Sequence, residues 1–122
     1  MWLDPHRPRP FAFVSHGHAD HFARHQRVLC SPGTGHILVK RYGVKASTID
    51  VLDWGEQRMI KGHRISLHPA GHITGSAMIR IEGPDQSILY TGDFKTRSSH
   101  TAEIADFPKS DILIMETTFG RP

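Results

Sequence analysis

The sequence predicts a layered α/β fold, with β-strands as its main elements and a few short helices. Two observations support this prediction: wholly apolar runs are no longer than four residues, and Gly, Pro and Asp cluster between them at turn positions. A third is that segments with a helical pattern lie mainly in the early part of the chain. With 122 residues, the chain is long enough for one domain with a core and too short for two.

The first half of the chain is predicted to alternate strands with helical segments. Apolar and β-branched residues indicate the strands, and Gly43 is well suited to end a helix that precedes it. Asp20 is placed to interact favourably with the positive N-terminus of a short helix. The predicted elements are a strand over 11–15, one or two helical turns over 20–25, a strand over 27–30, a turn at Ser31-Pro32-Gly33, a helix over 35–42 and a strand over 47–52.

The second half of the chain is predicted to consist mainly of strands. Alternating or continuous apolar residues indicate strands over 64–68, 77–81, 87–91 and 111–116. The last of these segments is a continuous apolar run that ends in an acid, which is typical of a strand covered on both faces. We therefore expect this final strand to be buried.

Composition excludes several classes of protein. A membrane-spanning helix needs about 20 apolar residues, and the sequence contains no such run, so no membrane association is expected. The first ten residues are polar and proline-rich and do not resemble a secretory signal. Cys30 is the only cysteine and cannot form an internal disulfide. A reducing compartment fits these features, and we expect a cytoplasmic protein with Cys30 buried and inert.

The net charge of +3 is unevenly distributed along the chain. Residues 1–45 contain seven Lys and Arg against two acidic residues, whereas residues 46–122 contain eight against ten. A basic N-terminal region favours a partner that carries phosphate groups, such as a nucleic acid. The ordinary alternative is a solvated surface, so charge alone does not decide between the two.

The clearest functional signal is a cluster of histidines. The sequence has ten of them, and the segment from His16 to His21 has the pattern H-x-H-x-D-H after a predicted strand. In extended backbone, residues two apart point the same way, so His16 and His18 can share one metal ion. Where the chain turns, Asp20 and His21 point elsewhere and can bind a second. Imidazole and carboxylate ligands without thiolate suit zinc, with manganese or iron as alternatives.

Two further residues are candidates for the same site. His72 lies in a loop between Gly71 and Gly75, where glycine allows close approach of the backbone. Asp93 follows a predicted strand directly, at a position where α/β proteins often place a ligand. Two metal ions about 3.5–4 Å apart are the usual arrangement for phosphoryl and acyl hydrolysis.

The order of these motifs resembles that of the metallo-β-lactamase fold superfamily. Leu3-Asp4-Pro5, the H-x-H-x-D-H segment, Gly71-His72 and Gly92-Asp93 match its successive motifs. The resemblance implies part of an αββα sandwich with a two-metal site at one sheet edge. It implies that one zinc is held by His16, His18 and His72, that the second is held by Asp20 and His21, that Asp93 bridges the two ions, and that Asp4 orients the histidine loop behind them.

A narrower resemblance is to the β-CASP nucleases, the nucleic-acid-processing branch of that superfamily. It rests on Gly92-Asp93-Phe94-Lys95 and on the apolar segment that runs into Glu116-Thr117-Thr118-Phe119-Gly120. The chain is most similar to ligase-associated DNA exonucleases and to messenger-RNA 3′-end-processing nucleases. For Glu116 the resemblance implies an acid that steadies a distal histidine, which in turn protonates the leaving group.

These features predict a zinc-dependent nuclease, most similar to exonucleases, in which the two metal ions activate water for attack on phosphorus. Its expected catalytic residues are Asp20, Asp93 and Glu116, and Lys95 and Arg97 are expected to contact phosphate. The substrate is DNA or RNA, and the family analogy adds a DNA ligase or helicase as a partner. A small-molecule hydrolase, such as a thioesterase, lactonase or β-lactamase, and a non-catalytic metal-binding fragment are the alternatives.

Residues 1–122 are expected to form a single, truncated metallo-β-lactamase-like domain without the β-CASP cap domain. The family supplies further histidines after the matched segment, so the activity of this chain alone and its oligomeric state are left open. Trp2 and Trp54 are expected to be core or rim aromatics, and His68 a packed strand residue. The remaining histidines are expected at the surface: His6, His25, His36, His63 and His100.

Overall fold

The computed structural model describes residues 1–117, which form two β-sheets and one α-helix. Thr118, Phe119 and Gly120, which belong to the predicted motif after Glu116, lie outside these residues. The first sheet is parallel, in the order β1 (Trp2–Leu3), β2 (Ala12–Phe13), β3 (Val28–Cys30) and β4 (Ile49–Val51). The helix α1 spans Pro32–Tyr42, and 3-10 turns span Ala19–His21 and Ala46–Thr48.

The second sheet has five strands in chain order. They are β5 (Gln57–Ile60), β6 (His63–Pro69), β7 (Ala77–Glu82), β8 (Ser87–Tyr90) and β9 (Ile112–Ile114). Neighbours are antiparallel except for β8 and β9, which are parallel. The predicted mixed α/β class with mostly strands is confirmed. None of the helices in the described part of the chain is long and apolar enough to cross a membrane.

The main core lies between the two sheets. Phe13, Leu29 and Leu52 from the first sheet and its connections pack with Ile65, Leu67, Ala77 and Ile79 from the second. A separate cluster joins Val14, Val28 and Cys30 to Leu38 of α1, so the helix covers the outer face of the first sheet. The two sheets and the helix therefore form three layers. Cys30 is completely buried, and burial raises the pKa of its thiol to about 12, so it is inert as predicted.

The helix α1 begins three residues before its predicted start. Ser31 caps it, with its hydroxyl accepting a hydrogen bond from the Thr34 N–H at 3.1 Å, and Pro32 occupies the first turn. The Ser31-Pro32-Gly33 turn was therefore wrongly predicted: the same residues are the cap and first turn of a helix. Gly43 ends the helix with φ of 65°, as expected.

Two strands were missed by the sequence analysis. β1 has only two residues, too few for a pattern. β5 forms a hairpin with β6 through Lys61 and Gly62, whose φ angles of 48° and 78° suit a tight hairpin turn. Because β5 is an edge strand, it exposes Gln57 and Met59 and lacks the apolar pattern of a buried strand.

The expected burial of the last strand was wrong for the described residues. In β9, Ile112, Leu113 and Ile114 are 39%, 53% and 46% exposed. The strand pairs with β8 on one side, and within residues 1–117 no layer covers its faces. The apolar pattern indicated which side chains need covering, and the described part of the chain does not supply the cover.

Candidate metal centre

Four histidine side chains meet where the first sheet ends. His16, His18 and His21 come from the segment after β2, and His72 comes from the loop after β6. The ring centroid of His16 is 4.8 Å from that of His18, 4.2 Å from that of His21 and 4.9 Å from that of His72. His16 is completely buried and the other three are partly buried. Residues 54 positions apart in the chain are thus in direct contact, since His72 Nε2 is 3.3 Å from His18 Nδ1.

Asp93 brings a carboxylate to the same cluster. Its Oδ2 lies 3.7 Å from His16 Nε2, 3.6 Å from His21 Nε2 and 3.7 Å from His72 Nε2. Two groups could therefore hold a metal ion: His16 with His18 and His72, and His16 with His21 and Asp93. Within each group the candidate ligand atoms are within 4.8 Å of one another. Asp93 thus contacts histidines of both groups, and its expected role as a bridging ligand stays a prediction.

Asp20 lies at the margin of the cluster. Its side chain is 78% exposed, and its Oδ2 is 3.7 Å from His21 Nε2. The 3-10 turn over Ala19–His21 places this carboxylate on the solvent side of His21. Neither candidate metal group among the described residues includes Asp20, and its role as a metal ligand stays a prediction.

The cluster contains an unsatisfied buried atom. His16 Nε2 is buried and has no hydrogen-bond partner among the described residues. A buried polar atom without a partner costs free energy, so such atoms are rare in folded proteins. A metal ion would satisfy this lone pair, and neutral imidazoles beside a carboxylate are donors that zinc prefers. The residues present therefore fit the predicted metal centre.

Ser15 determines which nitrogen of His16 carries the proton. The Ser15 hydroxyl donates its one proton to Asp4 Oδ2 at 2.6 Å, because an ionised carboxylate can only accept. It must then accept the bond from His16 Nδ1–H at 2.9 Å. The Nε2 atom of His16 is left with its lone pair directed into the cluster. Burial, followed by the neighbouring His21 and His72, lowers the pKa of His16 to about 3, which keeps the ring neutral.

The Asp4 carboxylate contacts several residues behind the histidines. It is only 8% exposed, and its Oδ1 accepts from the Ser15 backbone N–H at 2.7 Å. Its Oδ2 accepts from the Tyr90 hydroxyl at 2.8 Å and lies 3.3 Å from His21 Nδ1. The hydrogen bond to Asp4 raises the pKa of His21 and leaves Nε2 of that ring facing Asp93. The orienting role expected of Asp4 stays a prediction, which these contacts support.

Ser15 and Tyr90 are site residues that the sequence analysis missed. Ser15 directly precedes the histidine segment, which was the available signal. Tyr90 is a hydroxyl-bearing residue at the end of an otherwise apolar strand, and its partner Asp4 is 86 residues away in the chain. Burial, together with the charge of Asp4, raises the pKa of Tyr90, so its hydroxyl stays protonated and donates to the carboxylate.

The His72 loop is held against α1. Its Gly75 carbonyl accepts hydrogen bonds from the hydroxyls of Ser31 at 2.5 Å and Thr34 at 3.0 Å. Within the loop, the Ser76 hydroxyl accepts from the backbone N–H of His72 at 3.0 Å. The first turn of the helix therefore positions a loop on the other sheet, and with it the His72 ring.

The Asp93 loop is held from two sides. Gly92 has φ of 54°, and a Cβ at this position would lie 2.6 Å from Ser15 Cβ, so a side chain would not fit. On the other side, Glu116 Oε1 accepts from the Phe94 N–H at 3.1 Å. Glu116 thus contacts the residue next to Asp93. Its expected role, to steady a distal histidine, stays a prediction.

Lys95 and Arg97 follow Asp93 in an exposed segment. The Lys95 N–H donates to the Ala70 carbonyl at 2.9 Å, which holds this segment against the His72 loop. Both side chains are therefore carried on backbone that is anchored beside the histidine cluster and are accessible to a ligand there.

The other histidines fall into two groups. His25 was wrongly expected at the surface: it is 6% exposed, and its Nδ1 accepts from the Arg9 N–H at 3.1 Å. Its ring joins the two segments that lead into β2 and β3, and burial lowers its pKa. His68 is a packed strand residue as predicted, 2.9 Å from the Ser66 hydroxyl. The remaining four, His6, His36, His63 and His100, are exposed as expected.

Ser15→Ala is expected to weaken zinc binding by about 10-fold, because the Nδ1–H of His16 loses its acceptor and the proton can move to Nε2. Long-range ¹H–¹⁵N spectra of the zinc-free chain should show His16 protonated at Nδ1, and the variant should populate the Nε2–H form. Ser66→Ala is the matched control, since it removes a Ser–His hydrogen bond outside the cluster. Equal zinc affinities in wild type and Ser15→Ala would contradict the assignment.

Comparison with known proteins identifies the family. Residues 4–122 match the beta-lactamase superfamily domain. A "Probable DNA ligase" from Opitutus terrae is 46% identical over 99% of this chain and 12% of its own length. An "RNase J-like protein" from Methanocaldococcus jannaschii is 33% identical over 89% of this chain and 31% of its own. The "Cleavage and polyadenylation specificity factor 73" of Drosophila melanogaster is 39% identical over 59% of this chain and 11% of its own.

The chain therefore covers 31% or less of the length of these three relatives. Among solved structures, the β-hydroxylase CmlA in a mutant form matches 77% of this chain and 22% of its own, with a TM-score of 0.54 and 22% identity. A protein of unknown function from Enterococcus faecalis matches 70% of this chain and 25% of its own, with a TM-score of 0.54 and 20% identity. These structures support the fold alone. The chain belongs to the beta-lactamase superfamily, and the relatives confirm its resemblance to the nucleic-acid-processing branch.

Proposed function

We propose that this chain provides the metal centre of a zinc-dependent nuclease that hydrolyses phosphodiester bonds in DNA or RNA. Membership in a metallo-hydrolase superfamily, with relatives named as nucleases, supports the reaction class. The single observation that carries the proposal is the buried, unpartnered Nε2 of His16 at the meeting point of four histidines and Asp93. Manganese or iron would suit the same donors, and elemental analysis distinguishes them from zinc.

In the proposed centre, each residue has a distinct task. One zinc would be held by His16, His18 and His72 and the second by His21 and Asp20, and Asp93 contacts histidines of both sets. Bound zinc lowers the pKa of water toward neutrality and offsets negative charge on a phosphate. Asp20 and Asp93 are the proposed catalytic carboxylates. Glu116 accepts a hydrogen bond from the Phe94 N–H and thereby holds the Asp93 loop.

Substrate positioning falls to exposed cations near the centre. Lys95 and Arg97 are exposed on the segment after Asp93, where they can contact phosphates of a bound strand. The Asp20 side chain at the margin of the cluster is 78% exposed, so this side of the cluster faces solvent. The Asp4 network behind the cluster keeps the histidine rings in the orientation that the reaction needs.

We also propose the setting in which this activity takes place. We propose an exonuclease that works with a DNA ligase or helicase, because a relative named as a probable DNA ligase is 46% identical over 99% of the chain. We also propose a cytoplasmic location, which suits a chain whose one cysteine is buried and unpaired.

The proposal is tested with the zinc-loaded chain. We expect about two zinc ions per chain by elemental analysis and cleavage of a labelled DNA or RNA strand. His16→Ala combined with His72→Ala should lower the zinc content from about two to about one per chain and reduce cleavage at least about 100-fold. His36→Ala, an exposed histidine on α1, is the control.

The alternatives predict different results in the same assay. Turnover of a chromogenic lactam or thioester without strand cleavage would reject the nuclease in favour of a small-molecule hydrolase. Zinc binding without any turnover would reject catalysis by this chain in favour of a metal-binding module. Undiminished cleavage by the double variant would reject the metal centre itself.

A further inference from the structure

The segment that follows the histidine cluster carries charge of one sign. Between His21 and Ile49 the sequence contains Arg24, Arg27, Lys40, Arg41 and Lys45 and no acidic residue. Arg27 is paired with Asp50 outside the segment. Within residues 1–117 the other four form no salt bridge, and all four are exposed. Surfaces that serve only for solubility usually mix positive and negative side chains. A segment with cations alone creates a local positive potential.

The structure arranges part of this charge around one aromatic side chain. Arg24 Nη2 donates to the Tyr42 carbonyl at 3.0 Å, at the C-terminal end of α1. The Arg41 guanidinium carbon lies 5.6 Å from the centroid of the Tyr42 ring. The Phe22 ring packs against Tyr42, with centroids 4.8 Å apart. Two guanidinium groups are therefore held on a preformed base, which reduces the entropy lost when they bind a ligand.

The same tyrosine connects this surface to the metal centre. The Tyr42 hydroxyl donates to the Gly17 carbonyl at 3.0 Å, and Gly17 lies between His16 and His18. Gly17 also packs closely on α1, since a Cβ there would lie 2.5 Å from Ile37 Cγ2. Phe22 directly follows His21 in the chain. The charged surface is thus continuous with the outer side of the histidine segment.

We propose that Arg24 and Arg41, with Lys40 and Lys45 beside them, form a binding surface for the phosphodiester backbone of a nucleic acid. This inference rests on the proposed nuclease function. The surface would bind the part of the strand that lies away from the scissile bond. Guanidinium groups bind phosphate oxygens with two parallel hydrogen bonds. Contacts of this kind hold the strand without reading its sequence, so the surface accepts DNA and RNA alike.

A purely structural role for these cations makes a different prediction. Lys40 and Arg41 lie in the last turn of α1, where positive charge interacts favourably with the helix dipole. Arg24 also satisfies a carbonyl at the helix end. If these were their only roles, removing the charges would lower the melting temperature and leave nucleic-acid affinity and its salt dependence unchanged.

The test measures binding of the zinc-loaded chain to a fluorescent, cleavage-resistant phosphorothioate oligonucleotide over a series of salt concentrations. For Arg24→Gln combined with Arg41→Gln we expect affinity to fall about 10-fold at low salt and the slope of log K against log salt to decrease by about 1.5–2. The zinc content should stay unchanged. DNA and RNA strands are measured separately and should respond alike.

The matched control removes two charges at the opposite end of the second sheet. Lys61 and Arg64 are exposed at the β5–β6 turn, whereas His72 follows the far end of β6. Lys61→Asn combined with Arg64→Gln should leave affinity within about two-fold, because non-specific attraction decays over a Debye length. If the arginine variant does not fold, Lys40→Gln combined with Lys45→Gln replaces it and should reduce the slope similarly.

The outcomes separate this surface from the catalytic proposal. An unchanged slope in the arginine variant, an equal loss in the control, or no binding by the wild type would each overturn the surface. Cleavage of a small phosphodiester and of oligonucleotides by the wild type tests the nuclease independently. If the wild type cleaves neither and the arginine pair still governs binding, the surface stands and the nuclease proposal fails.

Discussion

Asp4→Asn is expected to weaken zinc binding by about 10–100-fold, the usual effect of losing a group that orients metal ligands. The reason is that four hydrogen-bond donors face the two oxygens of the Asp4 carboxylate. Asp4 Oδ2 faces the hydroxyls of Ser15 and Tyr90 and Nδ1 of His21, and Oδ1 faces the Ser15 N–H. An asparagine offers one accepting oxygen and one donating amide, so it cannot satisfy both sides.

Either orientation of the new amide damages the cluster. With the amide group in place of Oδ2, the Ser15 hydroxyl would accept from it and donate to His16 Nδ1, which moves the His16 proton to Nε2 and blocks that ligand atom. With the amide in place of Oδ1, two donors would face each other at the Ser15 N–H. An unpaired buried donor costs about 1–3 kcal/mol, so the free energy of unfolding should also fall.

The backbone does not complicate this substitution. Asp4 has φ of 42°, a conformation that asparagine tolerates as well as aspartate does. Zinc affinity is measured by competition with a chelator, and the free energy of unfolding by urea titration. Asp85→Asn is the control, because Asp85 is an exposed carboxylate in the β7–β8 turn. If Asp4→Asn bound zinc as tightly as the control, Asp4 would have no orienting role.

The sequence predicts the candidate ligands of the cluster but not the residues that support them. The spacing of His16 and His18, the glycine-flanked loop of His72 and the strand-end position of Asp93 are local features, so each could be found without coordinates. The support behind them is not local. Tyr90 donates to a carboxylate 86 residues earlier in the chain, and no pattern along one segment encodes that pairing.

The fold shows the same limit at its edges. The buried strand β3 carries an apolar pattern because one of its faces meets the second sheet and the other meets α1. The edge strand β5 has polar residues and was missed, although hydrogen bonds with β6 define it. The start of α1 was misplaced because serine, proline and glycine are typical of turns as well as of a capped first helical turn.

Gly75→Ala is expected to lower the free energy of unfolding by about 2–4 kcal/mol, through backbone strain and steric overlap together. Gly75 has φ of 78°, where a side chain is disfavoured. A Cβ there would lie 2.5 Å from the Thr34 nitrogen and 2.7 Å from the Gly33 carbonyl carbon. Both atoms belong to the backbone of α1 and cannot rotate away, so the loop and the helix would have to separate.

That separation should reach the metal centre. The Gly75 carbonyl would lose its bonds to the hydroxyls of Ser31 and Thr34, and the loop that carries His72 would shift with it. We therefore expect zinc content to fall by about one ion per chain, because the His16, His18 and His72 group loses a member. The second ion, proposed to be held by His21 and Asp20 beside Asp93, has no ligand from this loop and should remain.

Gly55→Ala provides the matched control for this prediction. Gly55 has φ of 77°, almost the same as Gly75, but a Cβ there would meet no atom within 4 Å. Its substitution therefore measures the backbone strain alone, about 1–2 kcal/mol. The excess loss in Gly75→Ala then measures the contact between α1 and the His72 loop. Equal losses in urea titrations, with equal zinc contents, would mean that the helix does not position His72.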